Sequence, residues 1–321
     1  MQEWLYGENG YYREKHIGKK GDFFTSVSVS AFFGYTIAEF LKDKIDKNTA
    51  IVEIGAEKGD LISDIALYLK ENQIITNYHI IEPLSELRAI QKATFYQKTK
   101  SDSLSIFSDF APLKDKYERI LFVANELFDA FVCDLYYKES LAFIEDSKLV
   151  FEEAPQECKN IAQSLNLEIT EIPKEAESFV ENLSKCAQKW LFLTFDYGEI
   201  TGRNEFSLRI YKDHKTQNFF SSQNPLKYDN SLLSLFQKCD ITYDVNFNFW
   251  GNVFKKYDAR EVFLHRQNRA LVDMGLDRVG EWFIERFGLE NFIKQSAKIR
   301  SLISPSLLGE RFLGACYSNF I

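Results

Sequence analysis

Three stretches of the chain place chemically capable residues directly after short apolar runs. The first is Glu53-Ile54-Gly55-Ala56-Glu57-Lys58-Gly59-Asp60, in which Glu53 and Ile54 end the run begun by Ala50-Ile51-Val52. Gly55 and Gly59 let the backbone turn tightly beneath a ligand, and Glu82, closing the next apolar run, is a carboxylate suited to grip both hydroxyls of a ribose. Such a turn alone also fits an ordinary strand-to-helix connection; the later carboxylate is what favours a nucleoside-containing ligand. Neither G-x-G-x-x-G nor a lysine-serine P-loop occurs, and after the third run Ser108-Asp109-Phe110 offers Asp109 and the apolar Phe110 to an adenine. The order of glycine turn, ribose acid and base contact favours S-adenosylmethionine over a phosphate-rich cofactor.

The second stretch is Asn125-Glu126-Leu127-Phe128-Asp129-Ala130, after the run ending Leu121-Phe122-Val123-Ala124. It supplies a donor, an acceptor and negative charge where a reactive methyl would sit. If the chain turns helical there, Glu126 and Asp129 share a face. Two carboxylates on one face suit a planar guanidinium and accept its proton during methylation. The plainer alternative is a helix N-terminus enriched in acids that complement the helix dipole. The third stretch is Asp196-Tyr197-Gly198, ending the run Trp190 to Phe195.

The elements needed to position these groups follow from periodicity. Apolar strands at 50–54, 78–81, 104–107, 119–124 and 190–195 alternate with amphipathic helices at 61–69 and 84–97, which predicts a parallel, doubly wound α/β sheet of Rossmann-like form. Its ligand crevice lies at the carboxyl ends of the strands. Residues 1–48 read as a glycine-rich flap and a helix over 31–41 capped by Ser28 or Ser30, 49–133 as the cofactor-binding core, and 134–189 as an inserted α+β module. In that module 134–151 reads as a two-stranded hairpin, with helices at 156–165 and 175–189. Residues 190–321 complete the core with strands at 241–247 and 311–318 and C-terminal helices at 266–274 and 280–287.

Composition narrows the class further. The 321 residues are 45% hydrophobic and 27% charged, enough for a large core. A net charge of −8 gives no general pull towards nucleic acid or anionic lipid. No secretory leader or membrane-spanning run is evident, and the five cysteines are scattered, so an unexported protein in a reducing cytoplasm, without membrane insertion, disulfides or a metal cluster, is expected.

Gly21-Asp22-Phe23-Phe24-Thr25, Glu53-Ile54-Gly55, Ile81-Glu82, Asn125-Glu126-Leu127-Phe128-Asp129-Ala130, Asp196-Tyr197-Gly198, Leu208-Arg209-Ile210-Tyr211 with His214, Asp240-Ile241-Thr242 and Gly309-Glu310-Arg311-Phe312 together resemble the MidA-like family. Its members are class I S-adenosylmethionine-dependent methyltransferases and include the mitochondrial complex I assembly factor. The resemblance spans nearly the whole chain. It implies S-adenosylmethionine as cofactor, no metal, and an arginine-containing protein substrate of the respiratory complex I type, with Asp22, Thr25, Asp196, Tyr197 and His214 facing that substrate. Four positions depart from the pattern: Glu57 replaces the middle glycine of the turn, Val27-Ser28 replaces Pro-Glu, and Asp244 replaces a histidine. Glu57 motivates the alternative of a non-catalytic assembly protein. A methyltransferase acting on a small molecule is the other alternative, and the oligomeric state, a homodimer included, stays open.

Overall fold

The computed structural model describes residues 1–11, 26–145, 148–212, 215–221 and 224–321. The chain divides into two units, one formed by Met1–Phe23, Phe128–Phe179 and Tyr197–Val253, the other by Phe24–Leu127, Val180–Asp196 and Phe254–Ile321.

The second of these is built on strands β1 (Thr49–Ile54), β2 (Asn77–Ile81), β3 (Leu104–Phe107), β4 (Arg119–Asn125), β5 (Lys189–Glu199), β6 (Arg260–Arg266) and β7 (Phe312–Ser318). Their order across the sheet is β6-β7-β5-β4-β1-β2-β3. Along that order β3, β2, β1, β4 and β5 run parallel to one another, and β6 is antiparallel to β7. β1 is buried at all six positions, as expected of an apolar central strand covered on both faces. Helices α1 (Ala31–Leu41), α2 (Asp60–Glu71) and α3 (Arg88–Thr99) pack in this unit. The Ser30 side chain caps α1 by accepting from the Phe32 N–H at 3.3 Å. One apolar cluster joins Phe33 of α1, Ile62 and Leu69 of α2, Phe95 of α3 and the sheet residues Ile51, Leu121 and Phe195. Among the described residues no helix is long and apolar enough to cross a membrane.

The strand order reverses between β1 and β4, which lie side by side while their chain neighbours diverge. That makes the carboxyl ends of β1 and β4 the topological switch point, where open α/β sheets bind ligands. The register keeps these ends level: Glu53 lies opposite Val123, and Asn125 opposite Phe195.

The other unit is built on antiparallel sheets. Lys148–Glu153, Ser140–Glu145, Cys133–Tyr137 and Ile169–Pro173 form one sheet in that order, and Lys215–Asn218, Arg209–Lys212 and Asp240–Thr242 another. Its core gathers Trp4, Ile210, Phe219, Phe220, Ile241 and Tyr243. The Trp4 indole N–H donates to the Cys239 carbonyl at 2.8 Å, fixing the N-terminal helix Gln2–Leu5 there.

Several expectations are corrected. The stretch 134–151 holds two strands and the start of a third, because the weakly buried Lys148–Glu153 pairs with Ser140–Glu145. The helix expected over 175–189 is shorter, Ala176–Ser184, and a buried strand, Ile169–Pro173, precedes it. Strand β5 does not end before Asp196 but runs on through Tyr197 and Gly198 to Glu199. The strand expected over 241–247 breaks into Asp240–Thr242 and Val245–Asn246, and Phe247 opens a helix. Asp240–Thr242 pairs with Arg209–Lys212 instead of completing the core sheet; that place is taken by β6 beside β7. A third C-terminal helix, Leu289–Ile303, follows the expected two.

Candidate active site

β1 delivers the glycine turn to the switch point. Gly55 and Gly59 adopt φ of +70° and +81°, left-handed values that glycine enters without steric cost. A Cβ on Gly59 would stand 3.3 Å from Gln91 Cα and 3.4 Å from the Gln91 carbonyl oxygen, so the turn closes directly against α3. We expect Gly59→Ala to lose ~1–2 kcal/mol of stability through the positive φ alone, with weakened S-adenosylhomocysteine binding. Thermal melting and calorimetry check this; an unchanged Kd would show that the cradle tolerates a side chain.

Glu57 sits between the glycines at φ +44°. Its side chain is 53% exposed and lies 3.4 Å from the Lys58 ammonium, so the carboxylate is drawn to solvent. Glu53 is buried, and its Oε2 accepts from the Ile62 N–H at 2.9 Å, tying β1 to the first turn of α2. Burial pushes that carboxyl well above the usual carboxylate range.

Glu82 follows β2 on the same sheet edge, its N–H donating to the Phe107 carbonyl at 2.8 Å. It is buried; Oε1 accepts from the Leu84 N–H at 3.0 Å and Oε2 from Gln91 Nε2 at 2.9 Å. Burial raises its pKa, opposed by these two donors. Asp109 follows β3 and is exposed; its carboxylate accepts from the Ala111 N–H at 2.8 Å and from the Ser108 hydroxyl at 3.1 Å. Phe110 meets Phe122 edge-on at 6.1 Å.

β4 ends where Glu126 takes φ +52°, a left-handed conformation uncommon outside glycine and often found at functional sites. The Glu126 N–H donates to the Phe195 carbonyl at 2.8 Å. Asn125 Nδ2 donates to Glu126 Oε1 at 3.0 Å and so orients that carboxylate. Asn125 Oδ1 is buried without a hydrogen-bond partner among the described residues. Asp196 is buried one residue beyond Phe195. The structure thus brings Glu53, Gly55, Gly59, Glu82, Asn125, Glu126 and Asp196 to one edge of one sheet.

It does not place Glu126 and Asp129 on one helical face. The positive φ at Glu126 breaks the path, and Phe128–Ala130 is a single 3-10 turn. Asp129 belongs to the antiparallel unit, where its Oδ2 accepts from the Thr242 hydroxyl at 3.0 Å and from the Tyr197 hydroxyl. Burial raises its pKa against these bonds. The Arg209 guanidinium lies 4.8 Å over the Tyr197 ring and pairs with Asp244 at 2.6 Å. Asp244 thus balances a cation. Asp22, Thr25 and His214 lie outside the described residues.

Sequence reasoning assigned no role to Gln91, Arg209 or Glu171. The signal for Gln91 was a lone amide in line with Phe95 and Thr99, all buried at four-residue spacing on α3. Glu171 Oε1 accepts from the Ser207 N–H at 2.6 Å and the Leu208 N–H at 3.1 Å. Burial nevertheless pushes its carboxyl up from 4.5 to about 7. The folded state therefore keeps this proton where the unfolded chain has lost it. The group costs nothing below pH 4.5 and destabilises increasingly as pH rises towards about 7. Relative to Glu171→Gln, the wild type should lose ~3 kcal/mol across that interval. Urea unfolding of both proteins at several pH values reads this, and a pH-independent difference would contradict it.

Strand order, the glycine turn at the switch point and the acid after β2 define a Rossmann-like class I nucleotide-binding fold of the methyltransferase type. Residues 34–263 match the family described as “Putative S-adenosyl-L-methionine-dependent methyltransferase”, and the chain belongs to that family. It is a methyltransferase whose cofactor is S-adenosylmethionine. A Burkholderia thailandensis protein solved with S-adenosyl-homocysteine has the same fold, with a TM-score of 0.79 at 21% identity over 99% of this chain and 86% of its own. The chain is also similar to “Protein arginine methyltransferase NDUFAF7, mitochondrial” of Mus musculus, 24% identical over 94% of this chain and 76% of the relative. The Homo sapiens protein of that name is 23% identical over 94% and 75%.

The site suits such a cofactor. The glycine cradle leaves out two Cβ atoms, Glu82 presents a fixed carboxylate, and the buried Asn125 Oδ1 has acceptor capacity that no described protein group uses.

Proposed function

We propose that the protein methylates an arginine of a protein substrate, in the manner of its arginine-methylating relatives, with a subunit of the respiratory complex I type as the acceptor. The observation that carries this reading is the Asn125-oriented carboxylate of Glu126 at the switch point. Gly55 and Gly59 would receive the amino-acid end of the cofactor with Glu53 bracing the turn, Glu82 the ribose, and Asp109 with Phe110 the adenine. When bound, S-adenosylmethionine would supply an electrophilic methyl group on a sulfonium, whose sulfur would keep the electron pair of the breaking S–CH3 bond and leave as a thioether.

The chain's own task is alignment and proton handling. A guanidinium is cationic at neutral pH and its nitrogen lone pairs are delocalised, so it is a poor nucleophile. Glu126 binds its N–H groups, holds one nitrogen in line, and takes the proton which that nitrogen gives up as the new N–C bond forms. Asn125 keeps the carboxylate from turning away. Asp129, Tyr197, Asp196 and the undescribed Asp22, Thr25 and His214 are proposed to contact the acceptor.

The choice between a protein and a small-molecule acceptor is made by incubating the enzyme with methyl-labelled S-adenosylmethionine and a complex I subunit fraction. Label in acid-precipitated protein supports the proposal. Label confined to small molecules overturns it.

A further inference from the structure

The Gln91 side chain is completely buried on α3, yet its Nε2 group reaches two separate pieces of the cofactor site. It donates to the Glu57 carbonyl oxygen at 3.0 Å and to Glu82 Oε2 at 2.9 Å. The amide orientation follows from the chemistry: a carbonyl and a carboxylate are both acceptors, so the group facing them has to be the NH2. Its Oε1 is buried without a partner among the described residues. Packing alone does not account for this choice, since an apolar residue would fill the same helix face beside Phe95 without leaving a buried polar atom unpaired.

We propose that Gln91 is a positioning residue for the cofactor, a single amide that locks the ribose-binding carboxylate of Glu82 to the glycine turn. The Leu84 N–H fixes one oxygen of Glu82 and Gln91 fixes the other. The carboxylate plane is therefore set from both sides before any ligand arrives. Because the same NH2 holds the Glu57 carbonyl, the ribose contact and the turn are held in one geometry, and the close approach of Gly59 to the Gln91 backbone fixes the spacing. The proposal rests on the assignment of Glu82 to the ribose.

The test compares binding of S-adenosylhomocysteine with that of its 2′-deoxyribose analogue by calorimetry. Wild type should prefer the hydroxylated ligand roughly 10- to 100-fold, as for a hydrogen bond to a charged group. Gln91→Met, similar in shape but without donors, should weaken S-adenosylhomocysteine by about tenfold or more and bring the two ligands within about threefold of each other. Where Gln91→Met does not fold, Gln91→Asn keeps an amide but draws it back by one methylene, so it cannot span both acceptors, and the same loss of preference is expected. Equal weakening of both ligands would mean that Gln91 only supports the turn, and unchanged affinities would mean that it does neither; each result overturns the proposal. If Glu82→Ala loses the preference while the Gln91 variants keep it, coupling through Gln91 alone has failed. If Glu82→Ala keeps it, the ribose assignment has failed and takes the proposal with it.

Discussion

Glu126→Gln is expected to slow methyl transfer by roughly 10²- to 10⁴-fold, the usual contribution of a positioned general base, with S-adenosylhomocysteine affinity nearly unchanged. The amide of glutamine matches the carboxylate in shape and still accepts a hydrogen bond, so Asn125 keeps a partner. What disappears is the charge that pairs with a guanidinium and the capacity to take its proton. Single-turnover rates beside calorimetry separate the two effects. A variant that transfers methyl groups at the wild-type rate would remove Glu126 from the chemistry. One that also loses cofactor binding would make it a ligand of the cofactor instead.

Glu82→Ala is expected to act on the opposite quantity. Two hydrogen bonds from ribose hydroxyls to an ionised carboxylate contribute ~3–5 kcal/mol together, so S-adenosylhomocysteine should bind roughly 10²- to 10⁴-fold more weakly. The truncation also leaves the Leu84 N–H and Gln91 Nε2 without the acceptor they share. Their loss loosens the site and pushes the effect towards the upper end. Isothermal titration at neutral pH measures it, and a variant binding as tightly as wild type would place the ribose elsewhere.

The core sheet was legible because its inner strands are runs of apolar, β-branched residues bounded by glycine or carboxylates, as in Ala50-Ile51-Val52-Glu53-Ile54-Gly55. The edge strand β6, Arg-Glu-Val-Phe-Leu-His-Arg, was not. It is only half covered, and its charged ends hide the apolar centre. Asp240–Thr242 was assigned to the wrong sheet because three β-branched or buried residues look alike wherever they pair; register and partner come from tertiary contacts. The candidate site divides in the same way. Gly55, Glu82 and Asn125-Glu126 were visible because chain position after a strand already puts a residue at the sheet's carboxyl edge. Glu126 and Asp129 were expected together on the strength of helical spacing, and one left-handed residue separates their paths. Gln91 and Arg209 act through partners 34 or 35 positions away, Glu57 and Asp244, which no local pattern reveals.

The central claim is that the methyl group goes to an arginine of a protein. Incubating the enzyme, its Glu126→Gln variant and a complex I subunit fraction with S-adenosylmethionine bearing a trideuterated methyl, then mapping labelled peptides by mass spectrometry, tests it most directly. The account predicts label on an arginine side chain with wild type and its absence with Glu126→Gln. Label on lysine, on a carboxylate or on a chain terminus, at equal levels with both proteins, would contradict it.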